Sequence, residues 1–600
     1  MPQSHQNLDR QPQHRASTAP LQKAPQALAL SVASVIPTDI DTSTSSTRHI
    51  EGADIDSSGI DPPSSMPRNI KEALSRSDAH LYEAAIQAEI NSLEANKVFE
   101  TVHNTSLPPG TRPINCLVTF KKKASTPEQP EGMIKMRIVA NGARQVHNHN
   151  FNQERISSPV ARTTTFRAMM AQAAYTGAKL HKIDIVAAFL NGTLEEPVYV
   201  YPPPGLDVPA GTVWKLLKAL YGLRQAPLIW YQTLDKALTK MGFKRHDHDK
   251  CLYTNPDTNL AFHVDDFLLS AMDDNQMQFF KDELSKYFKL VDFGEVKEFV
   301  GMQVERLQPH VIKLHQTNYI NQQLEELGMQ DCRPVHTPLP ENLRLVPRGE
   351  QDTHQHLNPH EHEHYRKIVG ILNYLAVKTR PDFANQVRQV AQHVDKPDQS
   401  HLKAAKHILR YLKGSASVGI TYARQPQECE ILKDIEGYDP HTLQAFSDAS
   451  HAPSVHDQCR SISGYVVMLH GGAIAWRSHM QETVSTSATQ SELIASSETA
   501  QEIVSDRYLL NTLAPDTVKN PTVMWEDNQG ARFIATNIVN CSERLKHVHV
   551  RYHFVRECIT NGDIEMRYIP TGLQLADSFT KNLGRTQFAR MRSAFMGTTT

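Results

Sequence analysis

Leu260-Ala261-Phe262-His263-Val264-Asp265-Asp266-Phe267-Leu268-Leu269 decides the reading of this chain. Two adjacent carboxylates stand between two apolar runs of strand length, a pattern that predicts a hairpin with the acids at its tight turn. Neighbouring carboxylates repel unless a cation lies with them, and hard divalent ions such as magnesium take oxygen ligands of this kind. A solvated Asp-Asp turn is the plain alternative, since Asp is a common turn former. A third acid in a matching context tips the balance. In His181-Lys182-Ile183-Asp184-Ile185-Val186-Ala187-Ala188-Phe189-Leu190-Asn191-Gly192, Asp184 interrupts an apolar stretch that reads as a buried strand passing into a helix or turn. Burying a lone carboxylate is costly unless something pairs with it. With Asp265 and Asp266 it would complete a three-carboxylate site on adjacent strands, as two-metal phosphoryl transfer requires.

The 600 residues, 40% of them hydrophobic, suffice for several domains. Lys plus Arg number 63 against 65 Asp plus Glu, so no global basic field marks a nucleic-acid partner and any such surface must be local. The seven cysteines are scattered without a C-x-x-C pair. That argues against a disulfide framework or zinc knuckle and predicts a reducing, intracellular compartment. The signal-like apolar run at residues 27–36 is far shorter than the roughly 20 residues of a membrane span, so no membrane is expected as a partner. Residues 1–67 are rich in Ser, Thr, Gln, Pro and Asp and precede the first aromatic residue, Tyr82. They predict a disordered N-terminal segment, with folded sequence starting near Ser77 or Asp78 as a helix cap.

Leu117-Val118-Thr119-Phe120 runs into Lys121, Lys122 and Lys123, and Ile134-Lys135-Met136-Arg137-Ile138-Val139-Ala140 reads as the return strand of a hairpin with its basic residues on one face. Such a hairpin can grip phosphates or simply be a solvated edge. Further on, Met277, Phe280, Leu284 and Tyr287 predict an amphipathic helix. The Pro-rich residues 332–359 read as a linker, and His354, His356, His360, His362 and His364 at its end lack the ordered scaffold that a metal site needs. Lys403, Lys406, Arg410 and Lys413 line one helix face that could follow a nucleic-acid backbone. A second set of acids fills the last third. Asp448 ends an apolar strand, Glu492 lies on a helix, Asp527 ends another strand and Asp577 lies in Gln574-Leu575-Ala576-Asp577.

Taken in order, KIDIVAAFLNG, LLKALYGLRQAP, HVDD and DFGEVKEFVGMQV resemble the reverse transcriptase of copia-type (LTR) retrotransposons. The resemblance implies an α+β fold: a right-hand polymerase (fingers, palm, thumb) at residues 68–330, a linker and connection at 331–440, a ribonuclease H-like domain with a mixed sheet at 441–585, and a C-terminal tail at 586–600. It implies that Asp184, Asp265 and Asp266 are the catalytic, metal-binding acids of the palm. By the same resemblance Phe189 is the steric gate against a ribose 2′-hydroxyl, and Gln225 lies against nucleotide and template. Lys121, Lys122, Lys123 and Arg137 would meet the triphosphate, and residues 299–304 would form the primer grip. Asp448, Glu492, Asp527 and Asp577 look like the ribonuclease H acids, with His547 extending the match. The implied cofactor is magnesium, two ions per active site. The implied partners are an RNA template, a DNA primer, the RNA-DNA hybrid, deoxynucleoside triphosphates and other element-encoded proteins in a particle. Localisation is expected in a cytoplasmic particle or the nucleus.

The chain departs from the family pattern in places. His263 stands where Tyr is usual, the strand from Asp257 into the turn reads as shortened, and Gln490 and His549 replace Glu and Asp. The family's protease, zinc knuckle and integrase core are missing, as expected of a polyprotein fragment or a decayed genomic copy. Two alternatives to a working enzyme therefore stand: a decayed remnant that keeps fold and nucleic-acid binding, and an active nuclease with a disabled polymerase.

Overall fold

Alternating apolar and basic side chains shape the first sheet. A computed structural model of the chain describes residues 66–122, 133–146, 156–347, 356–453, 459–537 and 549–598. Strands β1 (Phe99–His103), β2 (Ile114–Lys122), β3 (Ile134–Ala140), β5 (Thr193–Tyr201) and β6 (Thr212–Lys218) lie in the order β1-β6-β5-β2-β3. β3 buries Ile134, Met136 and Ile138 and turns Lys135 and Arg137 outward, as a period of two dictates. β2 and β3 form the expected hairpin, with Thr119 opposite Arg137 and Lys121 opposite Lys135. Helix α1 (Ile70–Leu74) precedes α2 (Ala79–Ala95), which packs on β3. The described fold therefore begins ahead of Asp78. The Asn69 side chain accepts from the Glu72 amide and caps α1, whereas Asp78 makes no side-chain cap bond. The expected disorder of residues 1–67 falls almost wholly outside the described residues.

The second sheet carries the acidic hairpin. Its strands β4 (Lys179–Ile185), β7 (Lys244–Arg245), β8 (Leu252–Thr254), β9 (Thr258–His263), β10 (Asp266–Ala271) and β11 (Leu290–Glu295) run β11-β4-β10-β9-β8-β7. β10 pairs without a break with both neighbours, from Asp266 opposite His263 to Ala271 opposite Thr258 on one side, and from Asp184 to Lys179 on the other. The strand that reads as shortened thus matches its partner in length. Helices α3 (Thr163–Thr176), α4 (Ala226–Lys240) and α5 (Asp274–Ser285) belong to this part of the chain. α5 buries Met277, Phe280 and Leu284, but the helix ends at Ser285, so Tyr287 leaves the stripe and is exposed.

β12 (Glu298–Phe299), β13 (Met302–Gln308) and β14 (Val311–His315) form a third sheet completed by β15 (Ile420–Ala423). Because β14 pairs with β15, this sheet spans the boundary expected at 330/331. Helices α6 (Thr317–Glu326), α7 (Pro359–Lys378), α8 (Ala384–Ala391) and α9 (Gln399–Gly414) accompany it. Residues 329–347 carry no helix or strand, yet Leu339 among them is buried in the core. His360, His362 and His364 stand on α7, which opens with Pro359 and an Asn358–Glu361 capping box, so they are not on a loose stretch. His354 lies outside the described residues.

The fourth sheet is mixed. β16 (Gln444–Ser450), β17 (Ile462–Leu469), β18 (Gly472–Met480), β19 (Thr522–Glu526) and β20 (Ile564–Tyr568) run β18-β17-β16-β19-β20, with β19 parallel to both its neighbours and the other pairs antiparallel. Helices α10 (Glu430–Lys433), α11 (Ala488–Leu513), α12 (Gln529–Thr536), α13 (His549–Thr560) and α14 (Arg585–Met596) surround it, α11 lying across β16 and β17. Residues 586–600, expected as a tail, contain most of α14. Its Phe588, Met591 and Phe595 recur at helical spacing and are buried, with Phe588 edge-on to Tyr411 of α9.

The fold is α+β. One continuous apolar core runs through the second, third and fourth sheets, and a separate one underlies the first. α3 joins the second sheet to the fourth. Arg167, buried on α3, donates to the carbonyls of Val377 and Lys378 at the end of α7 and of Ile474 on β18. Its guanidinium lies 3.8 Å from the centre of the Trp476 ring. Arg162 pairs with Glu502 of α11 at 3.1 Å. Among the described residues, no helix is long and apolar enough to cross a membrane, and the six described cysteines are free thiols.

Candidate active sites

The first site grows from a two-residue turn. His263 faces Asp266 across the hairpin, which leaves Val264 and Asp265 at its tip. Val264 has φ +63, a conformation that a β-branched residue adopts only at a cost. The Trp230 indole on α4 donates to the Val264 carbonyl at 2.7 Å and holds the turn in that state. The amide of Ile185 donates to the Asp265 carbonyl at 3.0 Å, so the turn is also tied to β4. On β4, Asp184 stands directly opposite Asp266. The three acids predicted from separate motifs therefore meet at one end of one sheet. All three are partly exposed, open to a ligand.

Charge at this end is unbalanced. Burial, followed by the fields of Asp265 and Asp266, raises the Asp184 carboxyl above its ordinary range. Burial raises Asp265 as well, with Asp266 adding to the shift. Asp266 is answered by Lys182 at 2.8 Å. Such a set of hard oxygen donors, strained by mutual repulsion, fits a divalent cation. Among the described residues the three acids do not close into a tight three-oxygen cluster of the kind seen in the second site. Beneath the turn, Phe189, Trp230, Phe262, His263 and Val264 line a small cavity. Phe189 is half-buried and edge-on to Tyr221.

The first sheet meets this end through backbone contact. The Ala140 amide donates to the Tyr221 carbonyl at 2.7 Å, and a Cβ on Gly222 would sit 2.2 Å from the Ala140 carbonyl oxygen, so only glycine fits. Arg137 stacks its guanidinium 4.5 Å from the centre of the Tyr221 ring and helps to hold Asp265 ionised. Gln225 opens α4, and its side-chain oxygen accepts from Gln145 at 3.0 Å. Lys121 and Lys122 are exposed on β2, while Lys123 lies outside the described residues. Residues 299–304 form the tight β12–β13 turn, with Phe299 fully buried.

The second site lies at the C-terminal ends of β16 and β19, beneath α11. Asp448, Glu492 and Asp527 offer oxygens within 4.8 Å of one another. Asp448 and Glu492 are buried and Asp527 is half-buried. Glu492 Oε2 is buried without a hydrogen-bond partner, an orphan that a cation would satisfy. Asp527 Oδ2 accepts from Thr571 at 2.7 Å. Asp577 comes in on a short 3-10 helix, Leu575–Phe579, whose anchor is Gln574: its amide donates to the carbonyls of Ser447 at 2.9 Å and Trp525 at 3.3 Å. Burial, with Asp448 and Asp527 close by, pushes Asp577 up to about 7. Burial raises Glu492 well above the carboxylate range, with Glu526, Asp448 and Asp527 adding to it.

The sequence reading missed three groups here. Glu526, fully buried, is a fifth carboxylate, and it accepts from Ser496 of α11 at 2.9 Å and from the Asn528 amide at 3.0 Å. Thr580 donates to Asp448. Lys581 pairs with Asp577 at 2.6 Å and with Asp448 at 3.5 Å. The i, i+4 spacing from Asp577 to Lys581 was the available signal. His547 lies outside the described residues.

Residues 96–341 match the family model described as reverse transcriptase (RNA-dependent DNA polymerase). The chain is 32% identical over 531 residues to the retrovirus-related Pol polyprotein from transposon TNT 1-94 of Nicotiana tabacum, covering 87% of this chain and 38% of that protein. It is 33% identical to the corresponding polyprotein from transposon RE1 of Arabidopsis thaliana, over 85% of this chain and 33% of that protein. It thus spans well under half the length of these relatives. It is 31% identical to a putative transposon Ty5-1 protein of Saccharomyces cerevisiae, over 54% of this chain and all of that one. Among solved structures it is similar to a foamy viral protease-reverse transcriptase in complex with RNA/DNA hybrid, at 10% identity and a TM-score of 0.41, over 82% of this chain and 54% of that one. By its sequence matches, the chain belongs to the copia-type reverse transcriptases of retrotransposon Pol polyproteins.

Proposed function

We propose that this chain copies RNA into DNA at the first site and cleaves the RNA strand of the resulting hybrid at the second. The observation that carries the reading is the convergence of Asp184, Asp265 and Asp266, from motifs far apart in sequence, at one sheet end that also faces Arg137. Asp184, Asp265 and Asp266 would hold magnesium for polymerisation, and Asp448, Glu492, Asp527 and Asp577 would hold it for cleavage. Two ions per site, when bound, supply activation of the attacking oxygen and stabilisation of the leaving one. The protein's own groups do the rest. Lys121, Lys122 and Arg137, together with Lys123, bind the triphosphate of the incoming deoxynucleotide. Phe189 closes the pocket against a 2′-hydroxyl, Gln225 positions nucleotide and template, and residues 299–304 seat the primer. The partners are then the RNA template, the DNA primer, their hybrid and deoxynucleoside triphosphates, with other element-encoded proteins in an intracellular particle or the nucleus.

Primer extension on a poly(rA)–oligo(dT) hybrid with magnesium tests the reading, with RNA cleavage scored in the same tubes. Asp265→Asn should abolish extension and spare cleavage, and Asp448→Asn should do the reverse. A second reading, an active nuclease beside a disabled polymerase, is favoured by one difference: Asp448, Glu492 and Asp527 close into a tight oxygen cluster while Asp184, Asp265 and Asp266 do not. It predicts RNA cleavage without extension. Silence in both assays from a folded sample, with hybrid binding retained, would identify a decayed remnant.

A further inference from the structure

The acids of the second site fall into a cluster of three with no cation among them and a pair that a lysine bridges. The cluster is Asp448, Glu492 and Asp527, where Glu492 Oε2 has no partner. The pair is Asp448 and Asp577, and there the Lys581 ammonium stands 2.6 Å from Asp577 Oδ1 and 3.5 Å from Asp448 Oδ2. A lysine head is a compact point charge on a flexible stem, so it can take a cation's place and can leave it. Lys581 also has somewhere to go. It lines a cleft of about 210 Å³ whose other walls carry Arg344, Arg388, Gln389, Gln392 and Asn582, with one acid, Glu341. Basic and amide groups of that kind suit the phosphates of a nucleic-acid backbone, and the Lys581 side chain is 40% exposed toward solvent.

We propose that Lys581 is a tethered counter-cation that holds the Asp448–Asp577 position in the substrate-free protein and moves to a backbone phosphate when the hybrid enters the adjoining cleft, which frees that position for a second divalent ion. The inference rests on the nuclease reading above and deepens it. Loading of the second ion is thereby coupled to substrate: the resting site holds one divalent ion and the engaged site two. Lys581 is a positioning residue in this scheme, since it acts through the occupancy of the carboxylates.

The experiment counts manganese ions by calorimetry and by electron paramagnetic resonance on the full chain, with Asp184, Asp265 and Asp266 changed to Asn so that the polymerase site is silent. The parent should bind one ion at the nuclease site. Lys581→Gln should bind two, the second at least tenfold more tightly than in the parent, and Lys581→Arg, which keeps the charge, should bind one. Adding a hybrid whose RNA strand carries 2′-O-methyl groups, and so resists cleavage, should raise the parent's count from one to two without any change at Lys581. Equal counts in parent and Lys581→Gln, or a parent count unmoved by the hybrid, would overturn the proposal while leaving the metal-dependent nuclease standing. No ion bound in any of these folded proteins would overturn both.

Discussion

A single strained residue aims the acids of the first site. Val264 sits at φ +63, at a cost on the order of 1–3 kcal/mol, and the Trp230 indole holds its carbonyl at 2.7 Å. Trp230→Phe keeps the ring and deletes the donor. Its stability cost should be only about 1 kcal/mol. The freed turn should still move Asp265 enough to slow single-turnover extension roughly tenfold or more, with RNA cleavage unchanged; an equal loss of both activities would instead point to general unfolding. Asp184, Asp265 and Asp266 were legible in the sequence because each breaks an apolar run, and a charge in such a run must have a reason. Glu526 stands beside Asp527 at the end of the same apolar run and is passed over for it, and the spacing of Lys581 from Asp577 shows only one of its two carboxylates. Glu526 gains its meaning from Ser496 on the overlying helix, and Lys581 from Asp448, on a strand far earlier in the chain.

At the scale of elements, the 3-10 helix that carries Asp577 lies so close to β17 that a Cβ on Gly464 would stand 2.7 Å from the Cβ of Phe579 and 2.8 Å from the Thr580 methyl. Gly464→Ala should therefore push that helix off the sheet, at about 1–3 kcal/mol. RNA cleavage should fall while primer extension holds, and comparing the two rates in one preparation is the check. The hairpins were readable from alternation and turn residues. α1 and α14 were not, since α1 is a single short turn, and the stripe of α14 is interleaved with Arg590 and Arg592 and finds its partner, Tyr411, on a helix distant in sequence.

Across the molecule, α3 joins the second sheet to the fourth, and two measurements address that joint. Arg167→Met leaves the carbonyls of Val377, Lys378 and Ile474 without their donor, at about 1–3 kcal/mol each. Calorimetry should show one cooperative transition in the parent and a lower, broadened or split one in the variant. His470 lies in the same interface, stacked on Tyr175 and bonded to Gln172 at 3.0 Å. Burial, with His441 nearby, pulls it down to about 3. The unfolded chain therefore binds a proton there that the folded chain refuses, and stability should fall as the pH drops below about 6.5. Denaturant melts at about pH 5 and about pH 7.5 should show that slope, and His470→Phe should lessen it, His393, which burial also holds down at about 4, supplying part of what remains.

The continuous core has a metrical consequence. If both sites engage one hybrid, a rigid joint fixes how much duplex separates the growing primer end from the point of RNA scission. Cutting then keeps step with synthesis like a ruler, and the fragments left behind a stalled primer would share one length. Loosening Arg167 would blur that length before it abolished either reaction.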